Sequence, residues 1–128
     1  MCHFVNQNTI VVPKYFAYSP RKLNIALTQL RCTASFLNYD LSKVNIVNDQ
    51  SCICGFFRED AHHYFFECAR YVNLRVNLFD HLNWLPNDCN LDLKLITCGN
   101  DSLTNEQNEQ IFKHVFEYIK KSNRFLIV

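Results

Sequence analysis

The stretch Cys52-Ile-Cys-Gly-Phe-Phe-Arg-Glu-Asp-Ala-His-His-Tyr-Phe-Phe-Glu-Cys68 decides how this chain folds. It holds three cysteines and two histidines within seventeen residues, spaced as C-x-C, eight residues, then H-x4-C if the histidine is His63. Zinc prefers four tetrahedral nitrogen and sulfur ligands, and a Cys3His set closes a structural site without an open position. The spacing therefore predicts one zinc ion bound by Cys52, Cys54, His63 and Cys68.

Other residues of this loop bear on the ligand set. Gly55 follows the second cysteine, and a loop that folds back over a metal needs a residue with positive φ, which glycine adopts at little cost. Glu59 and Asp60 are placed to cap a short helix that carries His63 toward the metal. His62 is a rival ligand, although the H-x4-C spacing favours His63. The alternative interpretation of the segment is a set of unrelated buried thiols with a surface histidine.

The five-residue step from His63 to Cys68 is a physical constraint, because positions five apart do not share a face of an α-helix. The chain must therefore bend between these two ligands, or one of them must lie at a helix end. Tyr64, Phe65 and Phe66 fill the interval. We expect at least two of these aromatic side chains to be buried, which would tie residues 52–68, here called the metal loop, to the core.

Helical periodicity surrounds the loop. Apolar residues recur at three- and four-residue spacing over about 20–38, where Ser19 is the expected N-cap, and again over about 69–83. A polar connection is predicted for 38–51. The sequence thus predicts a mainly α domain over 19–128, with three to four helices and the zinc loop between the first two long ones. Residues 1–18 are predicted to form an extended lead-in.

The C-terminal part of the chain carries the clearest helix signal. Thr104 and Gln107 form a capping box ahead of a helix over 105–121, in which apolar residues stack at four-residue spacing. A shorter apolar element, of one or two helical turns, precedes it and ends at Gly99. Only two glycines and three prolines occur in 128 residues, which favours long helices over a turn-rich β fold.

Composition and charge describe a single globular domain. The chain is 48% hydrophobic and 20% charged, and its net charge of +1 gives no strong indication of a nucleic-acid partner. Seven cysteines, an odd number without a secretory signal before them, favour metal binding in a reducing intracellular compartment, cytoplasmic or nuclear, over a disulfide framework. No apolar run approaches the length of a membrane span.

Several segments together form a pattern that is found in a known family: 21–25, 27–31, 52–55, 59–68, Tyr71, 99–100, Leu103, 105–121 and 124–125. Through them, residues 21–125 resemble the C-terminal region of reverse transcriptases of invertebrate non-LTR retrotransposons, here as an isolated fragment without the polymerase domain. In that pattern the second histidine is the ligand, which again points to His63. The chain departs from it at Ala69, where the family often has proline, and at Thr97-Cys98, where a bulkier pair is common.

The resemblance implies an accessory role in holding template RNA or target DNA, next to a reverse transcriptase core domain. The candidate contacts are Arg58, Arg70, Arg75 and Phe57, an aromatic residue that can stack on an unpaired base. With a net charge of +1, the isolated domain is expected to bind nucleic acid weakly, since affinity follows the number of phosphates neutralised.

Catalysis is not expected from this sequence. No paired aspartates of a polymerase are recognisable, a closed four-ligand zinc site leaves no water to activate, and no small-molecule substrate is indicated. Two other interpretations remain open. One is a zinc-stapled helical scaffold or protein-interaction module, and the other is an inert remnant of a mobile element.

Overall fold

A computed structural model describes residues 20–125 of the chain. The predicted lead-in over 1–18, the predicted N-cap Ser19 and residues 126–128 lie outside this range. The α-helices are α1 (Pro20–Arg31), α2 (Asn38–Lys43), α3 (Val72–His81), α4 (Leu93–Cys98) and α5 (Asn105–Ser122). A π-helical turn (His63–Glu67) and a 3₁₀ turn (Ala69–Tyr71) lead into α3. The predicted mainly α domain is confirmed, since the described range contains no strand.

The longest helix, α5, forms the centre of the fold and packs against α1, α3 and α4. Its predicted capping box is present: the Thr104 side chain accepts from the Gln107 amide, and the Gln107 side chain accepts from the Thr104 amide. One face of the helix is fully buried, and it consists of Ile111, Phe112, Val115, Phe116, Tyr118 and Ile119. The helix ends at Asn123, which adopts the left-handed conformation.

The first helix is shorter than the sequence predicts. The apolar spacing continues to Leu37, but α1 ends at Arg31. The Ala34 amide donates to the Gln29 carbonyl and the Thr33 amide to the Leu30 carbonyl, while Thr33 has a φ of 52°. These bonds form a Schellman motif, which satisfies the last carbonyls of a helix and turns the chain away from its axis.

The predicted polar connection over 38–51 is also partly wrong, because its first six residues form α2. The Asp40 carboxylate is buried and accepts from the backbone and hydroxyl of Ser35. The first amide of α2, on Asn38, donates to the Glu59 carboxylate, which lies 21 residues later in the chain. This helix is therefore stabilised by a distant partner that local periodicity does not show.

The predicted short apolar element is α4, which begins at the N-cap Asp92 and ends at Gly99. Arg31 donates to the Thr97 carbonyl at 2.8 Å, which fixes the end of α1 against this helix. Asn108 is buried in α5 and hydrogen-bonds the amide and the carbonyl of Asn100, so it holds the connection after α4 against the central helix.

Within residues 20–125, no helix combines the length and the apolar character needed to cross a membrane.

The two glycines make a matched pair for testing this packing. Gly99 has a φ of 73°, and a Cβ there would lie 2.6 Å from Asn108 Oδ1, whereas Gly55 has a φ of 104° with open space around it. We expect Gly55→Ala to lower the free energy of unfolding by about 1 kcal/mol, from backbone strain alone. We expect Gly99→Ala to lower it by about 3 kcal/mol, because overpacking adds to the strain.

Urea denaturation of both variants in the presence of zinc measures the difference. Equal losses for the two glycines would contradict the close packing of Asn108 on Gly99.

Candidate metal centre

The four predicted ligands come together beside the start of α3 and the C-terminal end of α5. Their donor atoms, three cysteine Sγ atoms and one histidine nitrogen, all lie within 4.8 Å of one another. Cys52 and Cys68 are buried, with their Sγ atoms 3.8 Å apart. Cys54 is exposed, and its Sγ lies 3.3 Å from Nε2 of the buried His63. The described part of the chain therefore contains a Cys3His group that can hold one metal ion.

A π-helical turn brings the last two ligands, His63 and Cys68, to the same side of the backbone, although they lie five positions apart. The Cys68 amide donates to the His63 carbonyl at 2.8 Å, so the turn has the i to i+5 hydrogen bond of a π-helix. The Asp60 carboxylate caps the preceding turn by accepting from the His63 amide at 2.8 Å. The capping role predicted for Asp60 is thus confirmed.

The three aromatic residues of this turn anchor it to the core. Tyr64 and Phe65 are fully buried, as predicted for at least two of the three, and Phe66 is partly buried. Tyr118, on α5, donates its hydroxyl to the Tyr64 carbonyl, and the Tyr64 hydroxyl meets Ser122. The position of the metal ligands is therefore fixed by the second half of the central helix.

The two histidines have different surroundings in the structure. The His63 ring stacks on Phe56 with centroids 4.4 Å apart and planes within 4°. Its Nδ1 is buried, has no hydrogen-bond partner and lies 3.7 Å from the Glu67 carboxylate. His62 is exposed, stacks on Phe66 and also faces Glu67, so it lies outside the ligand group.

The protonation of the ligands follows from their surroundings. Burial lowers the pKa of His63, against the opposing effect of Glu67 and Asp60, which keeps the imidazole in the neutral form that binds metals. Burial raises the pKa of Cys52 to about 11. For Cys54, burial is outweighed by hydrogen bonds with the backbone and the neighbouring thiols, and its pKa is lowered. A metal ion must therefore displace a proton from Cys52.

Glu59 has a larger role than the cap that the sequence predicts. Its carboxylate is buried and accepts a two-bond fork from Arg124, at 3.0 and 2.8 Å, and a third bond from Arg70 at 3.0 Å. Burial acts to raise the pKa of Glu59, but the bonds from Arg124 and from the Asn38 amide lower it, so the group is ionised. One carboxylate thus joins α2, the metal loop and the end of α5.

The four predicted nucleic-acid contacts divide into two pairs. Arg70 donates to Cys68 Sγ at 3.4 Å and to Cys52 Sγ at 3.3 Å, and Arg75 donates to the carbonyls of Phe65 and Cys68. Both arginines are therefore engaged with the metal loop.

The other pair faces solvent. Phe57 is 63% exposed. Arg58 is only partly exposed, and its Nε is buried and lies 3.0 Å from the Asp60 carboxylate. Sequence reasoning missed Tyr39 and Lys43, which lie beside this pair. The Arg58 guanidinium lies 5.1 Å from the Tyr39 ring and 5.8 Å from the Phe57 ring, and the Lys43 ammonium lies 5.0 Å from the Tyr39 ring. No spacing signal in the sequence connects residues 39 and 43 to the loop.

Comparison with known proteins gives no match: no family model, no curated protein and no solved structure is similar to this chain.

The ligand group can be tested by native mass spectrometry of protein supplied with zinc under reducing conditions. We expect one ion per chain in the wild type, loss of the ion in His63→Ala and Cys54→Ser, and its retention in His62→Ala, the matched control. Equal metal content in the two histidine variants would contradict the assignment of His63.

Removal of the metal by a chelator should loosen the fold without unfolding it completely. Structural zinc contributes on the order of 10 kcal/mol of apparent binding free energy in small peptides, but the helices here have an apolar core of their own. We expect circular dichroism to show a lower melting temperature with most of the helix signal retained. Complete loss of that signal would show that the core depends on the metal.

The Glu59 network should be a main source of stability. Glu59→Gln leaves two arginines facing a neutral amide, and breaking a buried ion pair costs about 3 kcal/mol. We expect that loss in urea denaturation at saturating zinc, against less than about 0.5 kcal/mol for Asp88→Asn, an exposed acid in a turn. A wild-type midpoint for Glu59→Gln would show that the network contributes nothing.

Proposed function

We propose that this chain is a zinc-stapled helical module that contacts single-stranded nucleic acid through the surface beside its metal loop and catalyses no reaction of its own. The observation that carries the proposal is the group formed by Tyr39, Lys43, Phe57 and Arg58, here called the aromatic–basic surface. Aromatic rings interleaved with cations are the features with which proteins hold unpaired bases and phosphates, and Phe57 and Lys43 are the exposed members of this group.

Zinc is the metal that the ligand group fits best. Two sulfur atoms bound at about 2.3 Å to one tetrahedral zinc ion lie about 3.8 Å apart. The Sγ atoms of Cys52 and Cys68 are separated by 3.8 Å. Three thiolates and an imidazole form a soft donor set, which suits zinc and excludes the oxygen-seeking ions magnesium and calcium. The ion would hold Cys52, Cys54, His63 and Cys68 together and so fix the loop on α3.

The aromatic–basic surface is physically continuous with the metal centre. His63 stacks on Phe56, whose ring centroid lies 4.7 Å from that of Phe57. Phe57 in turn contacts Arg58. A bound metal would therefore hold this stack of rings in place, which lowers the entropy lost when a base stacks on Phe57.

Binding by the isolated chain should be weak. The net charge is +1, and both cations of the surface already face a carboxylate: Arg58 faces Asp60, and Lys43 faces Asp40 at 3.4 Å. A phosphate must compete with these acids. The resemblance to retrotransposon reverse transcriptases implies an accessory role, in which this module helps an intracellular polymerase core to hold template RNA or target DNA.

A protein-interaction role is the second candidate. Four large apolar side chains after α1, the last of them within the metal loop, are more than half exposed: Phe36, Val44, Ile46 and Ile53. Where such side chains form one contiguous patch, they mark a site of protein contact. The reverse transcriptase core would be the partner under this alternative.

Fluorescence anisotropy with a labelled single-stranded RNA, the matching DNA and a duplex tests the nucleic-acid role. Base stacking on an aromatic residue contributes about 1–3 kcal/mol, so Phe57→Ala should weaken single-strand binding at least about fivefold. Arg58→Gln should reduce the slope of log K against log salt by about 0.7, the value for one phosphate on a single strand.

Trp84→Ala is the control, because this exposed aromatic residue follows the end of α3 that lies away from the metal loop. If the wild-type protein binds none of the three probes at low salt, or if Trp84→Ala weakens binding as much as Phe57→Ala, the nucleic-acid role is wrong. Retained binding to a reverse transcriptase core fragment would then favour the second candidate.

A further inference from the structure

The metal centre carries a charge that its surroundings must balance. Three thiolates and a neutral imidazole around a divalent ion leave one negative charge, and two of the sulfurs are buried. A buried charge without a partner is costly. The ionised Glu59 increases the need for a cation, because its Oε2 lies 4.0 Å from Cys52 Sγ.

Arg70 is the cation that meets this need. One of its terminal nitrogens donates both to Cys52 Sγ, at 3.3 Å, and to Glu59 Oε2, at 3.0 Å. Its Nε donates to Cys68 Sγ at 3.4 Å, and its guanidinium lies 4.8 Å from the ring centre of Tyr71. The side chain therefore bridges two metal ligands and the buried carboxylate.

Glu59 links Arg70 to Arg124, near the C-terminal end of the described chain. The same carboxylate accepts the fork from Arg124, which shares Oε2 with Arg70 and also binds Oε1. Arg124 follows α5 and also donates to the Phe36 carbonyl at 3.0 Å. Charges alternate along the line from the metal centre to Arg70, Glu59 and Arg124. The two arginines meet at one atom, because Glu59 Oε2 accepts from both of them.

We infer that Arg70 is a positioning residue of the metal centre, and that Glu59 and Arg124 couple metal binding to the docking of the C-terminal end of α5. The inference rests on the metal centre of the proposed function and not on the contact with nucleic acid. Coupling between two sites is reciprocal, so metal binding must stabilise the end of α5 by the same factor by which the docked end tightens metal binding.

Competition with a zinc chelator measures the first half of the inference. Loss of groups that support metal ligands typically lowers metal affinity about 10- to 100-fold, and we expect this for Arg70→Gln. Arg70→Lys keeps the positive charge but loses the two-bond geometry of the guanidinium group. Its zinc affinity should therefore lie between that of Arg70→Gln and that of the wild type. The sulfur-to-cobalt charge-transfer band of cobalt-loaded protein should also shift in Arg70→Gln, because bonds to the sulfurs change its energy.

Arg21→Gln, on the exposed side of α1, is the control for removing a positive charge. Wild-type zinc affinity and an unchanged cobalt spectrum in Arg70→Gln would overturn the role of Arg70. If the wild-type chain itself binds no zinc, the assignment of the metal centre is wrong. That result differs from the one in which the wild type binds zinc and Arg70→Gln binds it equally well.

Hydrogen exchange measures the coupling to α5. In the wild-type protein, zinc removal should speed amide exchange over residues 119–124. The Arg124→Gln variant should bind zinc about fivefold or more weakly, the lower range of measured couplings, although Arg124 touches no ligand. In Glu59→Gln the effect of zinc on residues 119–124 should disappear.

The alternative path runs through Tyr64, which contacts both Tyr118 and Ser122 on α5. Tyr64→Phe removes the hydroxyl contact with Ser122 and should leave the zinc effect on exchange in place. If the effect persists in Glu59→Gln and is lost in Tyr64→Phe, the coupling runs through the aromatic residues and the assigned role of Glu59 and Arg124 is wrong.

Discussion

His63 and Cys68 lie five positions apart in the chain, and the rest of the structure depends on how the backbone meets that constraint. An α-helix would send the two side chains to different faces, whereas the π-helical turn presents both to one point. Such a turn is rare in isolation, so it needs support from outside. Here the support comes from the burial of Tyr64 and Phe65 against the second half of α5.

The metal loop and the helical core therefore stabilise each other. The core holds the π turn in its unusual geometry, and a bound ion would hold the loop that contributes Cys52 and Cys54. The Glu59 carboxylate adds a second link, because it lies between Arg70 at the thiols and Arg124 at the end of α5. Its bonds to the Asn38 amide and to both guanidinium groups tie together three segments that are distant in the chain, and removal of one partner would leave a buried charge unpaired.

This network changes the interpretation of the basic residues. In the sequence, Arg58, Arg70 and Arg75 are equivalent candidates for phosphate contact. In the structure, Arg70 and Arg75 satisfy sulfur and carbonyl acceptors of the loop, while Arg58 faces outward between two aromatic rings. Arg70 and Arg75 thus hold the metal loop, whereas Arg58 forms part of the surface beside it. Only their hydrogen-bond partners distinguish these two roles.

The sequence by itself determined what short-range chemistry controls: the ligand types and spacing, the capping box of α5, the positive φ of Gly55 and the helical class of the domain. Tertiary structure decided the rest, because each remaining feature requires partners distant in the chain. The formation of α2, the role of Glu59 and the approach of Tyr39 to Arg58 all depend on contacts that no local pattern encodes. Periodicity shows which face a helix buries, but not which distant charge completes its end.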